Sequence, residues 1–104
     1  MEGNMNILYN KLQQIKQKPA LYLGKKSLPL LQAYLNGYVA YHNDTNNEED
    51  YFFLPELRDY IIQHYNIDTS HGWPELITFF SSNDNEAFDK FYELLDDFFS
   101  KNTD

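Results

Sequence analysis

Cysteine is absent from the chain. That excludes disulfides, zinc–thiolate sites and thiol nucleophiles, and it suits a reducing compartment. No run approaches the roughly eighteen apolar residues of a membrane span, and the N-terminus lacks a basic stretch followed by an apolar signal core. The expectation is a cytoplasmic protein without membrane attachment. Glycine and proline are sparse, four of each, so there are few turn signals to divide the chain. Basic residues are scarce too: eight Lys and Arg face sixteen Asp and Glu, for a net charge of −8. Gripping a phosphate backbone needs neutralising cations, so nucleic acid is not an expected partner.

Recognisable catalytic patterns are missing as well. The three histidines, His42, His64 and His71, form no i, i+4 metal pair and no H-E-x-x-H pattern. Ser70 and His71 are sequence neighbours, outside the strand–turn–helix setting of a nucleophile elbow. Glu48-Glu49-Asp50 and Asp96-Asp97 read as solvated, whereas acid–base catalysis needs carboxylates held in a desolvated cleft. Segment 44–50 lacks the alternating oxygen ligands and central glycine of a calcium loop. The reading is a non-enzymatic protein with no cofactor and no metal.

What is abundant is aromatic surface: nine Tyr, eight Phe and one Trp among 104 residues. That length specifies one domain, residues 1–104, able to bury a single modest core built largely from rings. Helical spacing recurs along it. Met5, Leu8, Leu12 and Ile15 mark a first helix, capped by Asn4 or Asn6 and stopped by Pro19. Ala20–Gly24 reads as an extended buried strap, with Leu21 and Leu23 on one side and Tyr22 on the other. Ser27 caps a helix over 28–42, striped by Leu28, Leu31, Leu35, Tyr38 and Val39. Gly37 weakens that helix, which predicts a close crossing or a kink.

The polar run 43–50 reads as a loop. A third helix follows Pro55 through Leu57, Tyr60, Ile61, His64 and Tyr65. After a turn at 67–72, a short fourth helix holds Trp73, Leu76, Ile77 and Phe80. Asp84 caps a fifth, with Phe88, Phe91, Tyr92, Leu95, Phe98 and Phe99 inward. The expectation is an all-α orthogonal array of about five helices. A minor strand at Leu21–Leu23 or Phe52–Leu54 is the main alternative to that element list.

Lys18–Gly24, K-P-A-L-Y-L-G, is similar to the R-P-G-M-Y-I-G segment of type II topoisomerase ATPase domains. Here the following helix contains no acid and no Gly-rich nucleotide lid comes later, so only the proline stop and glycine turn are shared. A wider pattern combines K-P-A-L-Y-L-G-x-x-S-L with His71-Gly72-Trp73 and the terminal E-A-F-D-K-F-Y-E-L-L-D-D-F. Together these resemble small bacterial immunity proteins of polymorphic-toxin and contact-dependent growth-inhibition systems. The resemblance implies binding and neutralisation of a cognate toxin domain, often a nuclease. From Asp44 onward fifteen acids stand against three bases, and an acidic inhibitor meets a basic nuclease rapidly through electrostatic steering. The expected contact set is Asp44, Glu48, Glu49, Asp50, Glu93, Asp96 and Asp97, with Tyr41, Tyr51 or Trp73 as exposed aromatic anchors. The alternative is a non-catalytic structural or regulatory module that forms a homodimer through aromatic helix faces.

Overall fold

A computed structural model describes residues 2–46, 49, 51–67 and 72–101, with side chains from Ile7 onward. Among the described residues six helices follow one another: α1 (Glu2–Gln17), α2 (Pro19–Leu23), α3 (Leu28–Asn46), α4 (Leu54–Tyr65), α5 (Trp73–Phe79) and α6 (Asp84–Lys101). No strand forms among the described residues, and no helix there is long and apolar enough to cross a membrane.

The helix beyond the five expected is α2, the segment read as an extended strap. Pro19 stands in the first turn of α2, where its missing N–H costs no internal hydrogen bond. The Leu21 amide donates to the Lys18 carbonyl, and the Gly24 amide closes the turn on the Ala20 carbonyl at 2.9 Å. Gly24 ends it at φ 88°, a backbone that glycine adopts without steric cost. Helical geometry changes which side chains go inward. Tyr22 and Leu23 pack against the core, whereas Leu21, expected inside, is exposed. The second strand candidate, Phe52–Leu54, is a turn running into α4.

Helix α3, expected over 28–42, runs past that end. Its apolar stripe begins as read, with Leu28, Leu31 and Leu35 buried and Ser27 Oγ accepting the Leu30 amide. The polar residues beyond His42 then extend it to Asn46. Thr45 Oγ1 donates to the Tyr41 carbonyl at 2.9 Å and Asn46 Nδ2 to the His42 carbonyl at 2.8 Å. Both side chains bond back to carbonyls one turn earlier, so these polar groups find partners within the helix instead of drawing the backbone into a turn.

The core is organised on α6, which buries Ala87, Phe88, Phe91, Tyr92, Leu94, Leu95 and Phe98. Asn83, rather than the expected Asp84, caps it: Asn83 Oδ1 accepts the Glu86 amide at 2.9 Å, and Glu86 Oε1 accepts the Ser82 amide at 2.7 Å. This reciprocal pair satisfies two donors at the helix start. Leu8, Leu12 and Ile15 of α1 are fully buried in the same core. Tyr92 Oη reaches from α6 to donate to the Leu12 carbonyl at 2.6 Å. Phe53 from the turn before α4 meets Phe99 edge-on, while Trp73 from α5 stacks on Phe91 with ring centres 4.9 Å apart.

Candidate protein-interaction surface

The acidic residues of α6 fall into two groups according to what they touch. Asp96 is half-buried and belongs to the α1–α6 junction. Its Oδ1 accepts from Tyr9 Oη and Gln13 Nε2, each at 3.3 Å, and its Oδ2 lies 3.6 Å from Lys16 Nζ. Burial first, and then the Asp96 charge and hydrogen bond, push the Tyr9 phenol above its ordinary pKa. Asp89 pairs with Lys26 at 2.8 Å. Glu93 and Asp97 lie exposed. Glu93 accepts from Lys90 at 2.7 Å, and that bond lowers its carboxyl pKa.

The second expected cluster lies around the end of α3. Asp44 and Glu49 are exposed, as are the rings of Tyr41 and Tyr51. The Tyr51 phenol hydrogen bonds to Glu49, which raises its pKa. Glu48 and Asp50 lie outside the described residues, as does His71 of the H-G-W element.

Trp73 requires a correction. Expected as an exposed anchor, it is buried against Phe91 at 9% exposure. It occupies the first position of α5, and that helix also buries Pro74, Leu76 and Ile77. The aromatic surface of this region is carried instead by Phe79 and Phe80, 78% and 46% exposed. Sequence reading placed Phe80 in the short fourth helix without naming it as a surface ring, and passed over Phe79. The available signal was Glu75: a residue four positions later shares its face of the helix, and that face is polar.

These two rings are part of a ladder. Phe79 meets Phe80 edge-on at 4.9 Å, Phe80 stacks parallel on Tyr65 at 4.7 Å, and Tyr65 meets His64 edge-on at 4.9 Å. Burial raises the Tyr65 phenol pKa; the Lys90 charge opposes this, and Glu93 and Glu86 reinforce it.

Elsewhere, a cleft of about 380 Å³ is lined by Lys25, Lys26, Asn83, Asp84 and Asn85. His42 packs against the Phe52 ring at 5.1 Å. Among the described residues no group of three or more His, Asp or Glu side chains is placed to hold a metal ion. Compared with protein-family models, with curated proteins and with solved structures, the chain matches none.

Proposed function

We propose that the chain is an immunity protein that binds a cognate bacterial toxin domain and neutralises it in the cytoplasm of the producing cell. The observation that carries this reading is the exposure of large aromatic rings on a strongly acidic surface. Tyr41 and Phe79 are 72% and 78% exposed, in a chain of net charge −8. Tight protein recognition concentrates its energy in a few aromatic anchors, and surrounding charge governs encounter rate and partner choice. An acidic surface of this kind complements a protein with a basic substrate-binding face, as a nuclease has. The resemblance of Lys18–Leu28 and of the terminal helix to immunity proteins supports the same assignment.

The rival reading, a module that pairs with itself, is less well served by the charge. A symmetric dimer sets identical surfaces together, so acidic faces would confront one another. Co-expression separates the two. The chain is expected to rescue growth of cells producing the C-terminal toxin domain encoded next to it, and to co-purify with that domain. Failure of both rescue and binding removes the immunity reading. Sedimentation that shows dimers at low micromolar concentration supports self-pairing instead.

A further inference from the structure

Asn36 and Gly37 form the one Asn-Gly pair of the chain; every other asparagine precedes a residue that carries a side chain. Both lie exposed in the middle of α3. A methyl group built on Gly37 would meet nothing within 4 Å. Packing therefore neither requires this glycine nor shields the peptide bond before it. We propose that Asn36 is a self-modification site, held latent by α3 and released when that helix opens. The proposal is independent of the binding role assigned above.

The step needs only the chain and water. The Gly37 amide nitrogen bonds to Asn36 Cγ and gives up its proton, the Cγ–Nδ2 bond breaks, and ammonia leaves with that proton. Water then opens the cyclic imide at one or other carbonyl, giving aspartate or isoaspartate at position 36. Glycine favours the attack, because no side chain stands beside the nitrogen and its backbone adopts the ring geometry freely. The helix opposes it. Inside α3 the Gly37 amide belongs to the i→i−4 ladder, and a helical ψ of about −42° turns its nitrogen away from the Asn36 side chain. Opening of α3 is the gate, and a glycine in the helix interior lowers the cost of opening.

The two products differ in consequence. Aspartate at this exposed position leaves the backbone intact. Isoaspartate routes the backbone through the side-chain methylene, so the hydrogen-bond ladder cannot run unbroken past position 36. That break falls between the buried Leu28, Leu31 and Leu35 and the ring of Tyr38, which packs against the core. A chain that stays open long enough to react thus loses the helix it needs to refold.

The test is incubation of the whole chain in mildly alkaline buffer, with and without urea, and mass spectrometry of its fragments to locate each conversion. Asn36 is expected to convert at least about tenfold faster in urea, because the native reaction passes through a minor open state. Gly37→Ala should slow the conversion in urea too, which separates the chemistry of glycine from protection by the helix. The purified isoaspartate chain should unfold at a lower urea midpoint than the starting protein, whereas Asn36→Asp should stay close to it. Equal rates with and without urea, an unchanged rate in Gly37→Ala, or conversion that spares Asn36 and strikes other asparagines would overturn the proposal. So would a midpoint unmoved by isoaspartate. Asn36→Asp destabilised as much as the isoaspartate chain would also overturn it, by placing the effect in the charge and not in the backbone.

Discussion

Tyr92 shows how much one polar atom does in a core made of rings. Its hydroxyl donates to the Leu12 carbonyl at 2.6 Å, linking α6 to α1 across eighty residues of chain. The ring packs against Phe88 and Phe91, with centres 5.1 Å away in each case, so its position is set by apolar neighbours. Tyr92→Phe keeps that packing and deletes the buried hydrogen bond. Loss of a buried bond costs about 1–2 kcal/mol. The expected result is a lower urea midpoint with an unchanged slope, and an unchanged midpoint would show that the bond contributes nothing. Asp96, one turn further along α6, illustrates the other use of polarity. It was read from sequence as a partner-facing acid, yet Tyr9, Gln13 and Lys16 of α1 converge on it. Nothing local distinguishes it from Asp97, because its partners lie eighty or more positions away.

At the scale of elements, the stripes were legible and the ends were not. Leu8, Leu12 and Ile15, then Leu28, Leu31 and Leu35, then Phe88, Phe91, Tyr92 and Phe98 of α6 are buried as their three- and four-residue spacing requires, with Phe99 partly buried. The ends depend on short hydrogen bonds that spacing does not encode. Thr45 and Asn46 extend α3, and Asn83 takes the cap of α6 from Asp84. The strap failed for a related reason: five residues are too few for a periodic signal, and one turn of helix satisfies its proline and glycine as well as an extended segment does. Exposed rings were the least legible feature, since tyrosine or phenylalanine on a helix reads as core until the helix end is known. Of the two reasons read for Gly37, a close crossing or a kink, the crossing is not found. A methyl group added there would meet nothing within 4 Å, so no close crossing explains it. Gly37→Ala is therefore expected to stabilise the protein by roughly 0.4–1 kcal/mol, by restricting the unfolded chain and favouring helix. Thermal unfolding checks it: the midpoint should rise by a few degrees, and a fall would reveal a constraint at that position.

For the molecule as a whole, phenol burial and net charge act together at alkaline pH. Burial, and then the Asp96 charge, push the Tyr92 phenol far above its ordinary value of 10.0. The Tyr9 and Tyr65 phenols are also raised, each mainly by burial. A group whose pKa is higher in the folded state binds its proton more tightly there. Its contribution is fully present below the unfolded value, near pH 10, and is lost as the pH climbs through the folded one. The unfolded chain releases these protons first, so stability falls with pH in that window. Lysine deprotonation over the same range drives the net charge further below −8, and the added self-repulsion acts in the same direction. Urea unfolding is therefore expected to give a nearly constant midpoint between pH 7 and 9 and a steep decline above pH 10. Tyr92→Phe supplies the internal control. It starts lower at neutral pH but declines less steeply, because its largest shifted phenol is gone, and the two curves converge in strong alkali. Parallel curves would assign the alkaline loss to net charge and the remaining tyrosines, leaving Tyr92 without a part in it.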